Sequence, residues 1–141
     1  QAAIAMAVFS GSILALAPRY TDAQVAGSAA VFRDAVADVG NGRTFAAALA
    51  DVLFVLAYFS LAVALARPNR WSKVGLVLMT VAAASDMIEN SLVMVGIGSG
   101  KDLTDGFVDL IRGVGAVKWV TVIAGGLGML AGLFVARGRD Q

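Results

Sequence analysis

The chain has no cysteine and no histidine. The first absence removes disulfides, thiolate metal sites and thiol nucleophiles. The second removes His-ligated haem, most zinc and copper sites, and Ser-His or Cys-His nucleophile pairs. Charge is scarce as well. Only 15% of the 141 residues are Asp, Glu, Lys or Arg, where a soluble domain carries about 25%. The net charge of +1 offers no argument for a nucleic-acid partner. No residue pattern marks a nucleophile, a metal-ligand set or a phosphate loop. The sequence therefore leads to no expected cofactor, no metal site and no catalytic residue.

What remains is apolar. The hydrophobic fraction is 59% and mean hydropathy is +0.81, against about 45–50% apolar residues in soluble domains. This composition predicts an all-α integral membrane protein of one domain over residues 1–141. Four apolar stretches give four spans, at about 2–18, 44–66, 74–98 and 110–136. The last three meet the roughly 20 residues that a hydrocarbon core of about 30 Å demands. The first is shorter. Its end, Ala15-Leu16-Ala17, imitates a signal-peptide cleavage site, but Pro18 follows at once, which favours a first transmembrane helix. Since the chain starts at Gln1, that helix reads as slightly clipped.

Between the first two spans, Thr21-Asp22-Ala23-Gln24 has the form of a capping box. Val25, Ala29, Phe32, Val36 and Val39 follow at helical spacing, and Gly40 with Asn41-Gly42 supplies a stop. An extra amphipathic helix is expected over about 22–39, on the outer side of a four-helix bundle. The orientation follows from charge. Arg67, Arg70 and Lys73 make the short loop after the second span wholly basic, and the tail adds Arg137 and Arg139 against Asp140. The other side holds more acids than bases. The positive-inside rule then places both termini in the cytoplasm, with the bacterial inner membrane as the expected location and the lipid bilayer as the first partner.

Ionisable residues inside spans are costly and mark sites or interhelical contacts. Here there are four: Asp51 on the second span, Asp86 and Glu89 on the third, and Lys118 on the fourth. Counting at 1.5 Å per residue puts Asp51, Glu89 and Lys118 at similar depth, about 6–16 Å below one end of their helices. Asp86, Glu89 and Asn90 have i, i+3, i+4 spacing and share a face. Asp51 and Tyr58 are seven apart and share another. One polar cluster of Asp51, Tyr58, Asp86, Glu89, Asn90 and Lys118 satisfies all of these. Three acids face one lysine, with Arg112 near enough to reach in, so an uncompensated charge is expected unless a proton is held among the carboxyls. Ser85 reads as interhelical glue of the kind membrane bundles use. Met79, Met87 and Met94 read as a core stripe. Gly128 and Gly132 form a GxxxG pair, which allows close helix approach within the bundle or to another chain.

The pattern of Asp51 and Tyr58, then Asp86-x-x-Glu89-Asn90, then Lys118 resembles an uncharacterised family of small bacterial four-helix membrane proteins. The apolar helix before a Gly-Arg at the second span is similar too. The resemblance covers most of the chain after Pro18. It implies the topology and the polar cluster, and no activity.

Three function classes stay open. The first is a non-enzymatic accessory or assembly subunit of a larger membrane complex, with other membrane subunits or self-association as partners. The alternative is a proton-linked transporter or a binder of a small cationic or amine ligand, using the acid cluster. An intramembrane enzyme with two carboxylates as acid and base ranks last.

Overall fold

A computed structural model describes residues 24–138; the expected first span and Thr21 lie outside them. Four α-helices carry the described chain. We label them α1 (Ala29–Val39), α2 (Asn41–Leu65), α3 (Arg70–Ser99) and α4 (Asp105–Arg137), with a 3-10 turn at Gly100–Asp102 before α4. Among the described residues, three helices are long and apolar enough to cross a membrane, those containing α2, α3 and α4. They fit a membrane protein.

Each of these helices begins earlier than hydropathy predicts, because polar residues form their first turns. Asn69 caps α3, its Oδ1 accepting from Ser72 N at 3.0 Å, so Arg70, Trp71, Ser72 and Lys73 are helical. The expected basic loop of seven residues shrinks to a short link around Pro68, which helps end α2 by disfavouring helix in the residue before it. Thr104 caps α4 by accepting from Phe107 N. Asp105 in the first turn and Arg137 in the last complement the helix dipole.

The expected helix over 22–39 is corrected to a shorter one. Helix α1 starts at Ala29, because Ser28 adopts an extended backbone and its hydroxyl accepts from Val31 N. Asp105 also accepts from Ala29 N at 2.7 Å, tying the start of α1 to the start of α4. The predicted stop of three residues is a single glycine. Gly40 has φ +88°, a region open to glycine at little cost. Its N–H donates to Val36 O at 2.8 Å, closing α1, and its carbonyl accepts from Thr44 N, opening α2. Asn41 and Gly42 are therefore helical.

α2, α3 and α4 run up, down and up, and α1 lies at the end where α2 and α4 begin. Apolar packing forms two zones. The first gathers Phe32, Val36, Ala47, Val93, Val108 and Ile111 beside α1. Phe32 reaches Gly96 so closely that a Cβ there would lie 3.0 Å from its ring. The second gathers Val55, Tyr58, Ala62, Met79 and Met129 nearer the other end. The methionine stripe is only partly core: Met79 is buried and Met87 is exposed.

α3 and α4 approach through small residues. A Cβ on Gly75 would lie 2.7 Å from Met129 N and 2.9 Å from Gly125 O. Gly128 rests on Gly75 and Trp71, and Gly132 rests on Ser72. Asn69 Nδ2 closes this seam by donating to Gly132 O at 2.9 Å. Both glycines of the GxxxG pair are thus spent within the chain.

Candidate functional site: a buried acid–lysine cluster

Asp51, Asp86, Glu89 and Lys118 lie between the two apolar zones, in the middle third of the long helices, and Tyr58 reaches them from the edge of the second zone. Each comes from a stripe that faces the helix neighbours. On α3 the buried stripe includes Ser72, Gly75, Met79, Ala82, Asp86, Glu89, Val93 and Gly96, and on α4 it includes Ile111, Gly115, Lys118, Gly125, Met129 and Gly132. Spacings of three and four residues keep such a stripe on one face. Counted from the ends near α1, Asp51 and Glu89 lie about 15 Å in, and Asp86 and Lys118 about 20 Å in. Asp51 and Glu89 agree in depth as expected, whereas Lys118 lies about one turn deeper, level with Asp86, and every residue is deeper than the shorter spans predict.

Lys118 is 7% exposed and sits between two carboxylates. Its Nζ lies 3.1 Å from Asp86 Oδ1 and pairs with Glu89 Oε2. Tyr58 donates its hydroxyl proton to Asp86 Oδ2 at 3.3 Å, and Asn90 Nδ2 donates to Asp86 Oδ1 at 3.4 Å. Asn90 also interacts with Asp51, which lies within electrostatic reach of Lys118. All six residues are buried, and Asn90 is fully so. The sequence-predicted cluster is therefore assembled as one network across α2, α3 and α4. Asp86 is its hub, receiving three of the contacts.

Arg112 does not join the network as a charge partner. It pairs with Asp109 one turn away at 2.7 Å, with both side chains about half exposed. Among the described residues, three carboxyl groups thus share one buried cation, Lys118. Ser85 is buried beside them without contributing a contact to the hub.

Gly115 is a site residue that sequence reasoning missed. A Cβ there would lie 2.7 Å from Glu89 Oε1 and 3.3 Å from its Cδ. The missing side chain is the space in which the carboxylate meets Lys118. The available signal was position: Gly115 is three residues before Lys118, on the same face. Gly115→Ala should push Glu89 aside and destabilise the fold by about 1–3 kcal/mol, as overpacking does. A double-mutant cycle with Lys118→Met should show the Glu89–Lys118 coupling reduced; an unchanged coupling energy would show that the carboxylate relocates freely.

Beside Gly115, a cavity of about 380 Å³ is lined by Gln24, Val25, Glu89, Arg112, Gly115, Ala116 and Trp119. The Gln24 side chain at this cavity also hydrogen-bonds Asp51. Among the described residues, no group of three or more acidic side chains has the arrangement to hold a metal ion. Comparison with known proteins finds no matching family model, curated protein or solved structure.

Proposed function

We propose that this is a small multi-pass membrane protein whose buried cluster handles a proton or binds a small cation, without covalent catalysis. The observation that carries the reading is the charge ratio: Asp51, Asp86 and Glu89 share Lys118 within one buried network. Counted over the described residues, a fully ionised cluster would leave two net negative charges in low dielectric, a cost that one proton or one bound cation relieves. Tyr58 and Asn90 supply polar contacts that hold Asp86 in place whichever way the charge is balanced. The family resemblance in Asp86-x-x-Glu89-Asn90 belongs to the same proposal, as do the bacterial inner membrane and the cytoplasmic termini. So do the first span and the placing of α1 on the outer surface.

Infrared spectroscopy tests it. A protonated-carboxyl C=O band is expected in the lipid-reconstituted protein near neutral pH, and one of Asp51→Asn, Asp86→Asn or Glu89→Gln should remove it. Ionised carboxylates alone at pH 6, with no shift in thermal stability on adding small amines, would overturn the reading.

The second reading is an accessory or assembly subunit. It is favoured by the broad apolar faces of α2 and α4, which include Leu49, Leu53, Leu56, Ile123, Leu127 and Phe134. Lipid covers such faces equally well. The GxxxG pair, the strongest argument for a docking helix, packs internally. Mass spectrometry of the protein released gently from native membranes separates the readings: stoichiometric foreign subunits would put the accessory role first.

A further inference from the structure

The two ends of the bundle differ in charge. Near α1, the acids Asp34, Asp38, Asp102, Asp105 and Asp109 outnumber the bases. At the far end every described charge is basic: Arg67 in the link, Arg70 and Lys73 in the first turn of α3, and Arg137 in the last turn of α4. All four are exposed, and among the described residues none is in an ion pair. Arg139 and Asp140, outside the described residues, add no net charge. A basic end by itself is what membrane topology asks for. The geometry around Arg70 is more specific.

α4 runs past the start of α3. Asn69 Nδ2 meets Gly132 O, and α4 continues to Arg137, an overhang of about 7.5 Å. Val135 lies three residues beyond Gly132, on the same face, where it looks over the link instead of a helix. A cavity of about 560 Å³ opens there, lined by Pro68, Asn69, Arg70, Trp71 and Val135. Small-ligand sites span about 300–1,000 Å³. The lining is amphipathic: Pro68, Trp71 and Val135 offer carbon, and Arg70 offers charge. The Arg70 guanidinium lies 5.0 Å from the centroid of the Trp71 ring, a cation–π contact that holds it at the cavity wall. Asn69 is spent on Ser72 N and Gly132 O, so the start of α3 is capped from within the chain. The attraction for an anion comes from the side-chain charges. Lys73 adds to it one turn along the same face as Arg70.

We propose that this cavity seats the headgroup of one anionic phospholipid from the adjoining leaflet. The lipid phosphate rests against the Arg70 guanidinium, whose planar fork matches two phosphate oxygens. The acyl chains run along the exposed apolar surface that continues from the cavity: Val74, one turn deeper than Trp71, and Phe134, next to Val135. That continuity selects a lipid over a soluble phosphate, which would leave the carbon wall uncovered. Trp71 suits the same depth, since indoles gather at the headgroup level. Arg70 lies about 24 Å along α3 from Asp86, so this site neither needs nor alters the proton-handling reading.

Native mass spectrometry of the full chain tests the site. The protein is released from micelles holding equal amounts of phosphatidylglycerol and phosphatidylcholine with identical acyl chains. One phosphatidylglycerol should stay bound in preference to phosphatidylcholine. Arg70→Gln should cut that preference about fivefold, the effect of one basic residue at an anionic surface. Arg43→Gln removes the same charge at the opposite end of the bundle and should change nothing. Val135→Trp keeps every charge but fills the cavity, and should also abolish the preference. All three positions are exposed, so the variants keep the fold. Equal retention of the two lipids, or a preference that Arg70→Gln leaves intact or that Arg43→Gln lowers as much, would overturn the site. A preference intact in Val135→Trp would reduce the site to diffuse basic charge and overturn the cavity. Displacement of phosphatidylglycerol by inorganic phosphate would make a soluble anion the ligand and overturn the lipid.

Discussion

Lys118→Met should lower the stability of the bundle by about 3–5 kcal/mol, the usual loss when one partner of a buried ion pair is removed. The methionine fills most of the space of the lysine stem. The loss therefore comes from electrostatics, and not from a cavity. Asp86 and Glu89 lose the cation that both contact, and Asp51 loses the attraction of Lys118. The two-part origin of the loss gives a sharper expectation. Adding Asp86→Asn and Glu89→Gln to Lys118→Met should recover most of it, because neutral isosteres no longer need the cation. Unfolding equilibria in lipid–detergent mixtures measure both. Unchanged stability in Lys118→Met would mean that the cluster is solvated well enough to do without its lysine. A loss not restored in the triple variant would point to packing instead.

Gly75→Ala should be the most damaging single methyl group that can be added to the glycines of the helix seam. Its Cβ meets Met129 N and Gly125 O, which are backbone atoms of α4 and cannot rotate away. The two helices must separate, at a cost of about 1–3 kcal/mol or more. Separation also unseats the Asn69–Gly132 hydrogen bond and Ser72. The control is Gly126→Ala, in the same glycine-rich stretch, where nothing lies within 4 Å of the added Cβ. That variant should be neutral, or gain up to about 1 kcal/mol from better helix propensity. Equal behaviour of the two variants, measured by the same unfolding equilibria, would contradict the close approach of α3 and α4.

Much of this arrangement was readable because membrane helices make charge conspicuous. Asp51, Asp86, Glu89 and Lys118 stand out against apolar neighbours, and helical arithmetic alone places them near one depth. The long helices were legible for the same reason, but their starts were not. A hydropathy reading begins where polar residues stop, whereas Asn69 and Thr104 start helices with polar first turns. α1 was misjudged because a capping-box pattern and an apolar period favoured the longer helix. Its true start is set by Ser28 and by Asp105 from 76 residues away, a tertiary contact that local pattern does not contain. The buried stripe of α3 was present in the sequence at alternating three- and four-residue steps. It was masked because its members are small or polar, while the large apolar residues face outward. Bundle interiors in lipid are selected for close approach, not for hydrophobicity. Gly115 shows the limit most clearly. Its value lies in a carboxylate on another helix, and no property of the residue itself announces that.

The short link between α3 and α4 bears on how the chain reaches its membrane. As a single helix, α3 carries two acids near its middle, and α4 carries one buried base, Lys118, near its own. Each such charge costs about 2.5–3.5 kcal/mol when a helix enters lipid by itself. The 3-10 turn at Gly100–Asp102 joins the two helices so tightly that they form an antiparallel hairpin. Entering lipid as that hairpin, they would hold Lys118 against Asp86 and Glu89, so that neither helix carries its charge alone. The same ion pairs that organise the finished site would then lower the cost of membrane entry.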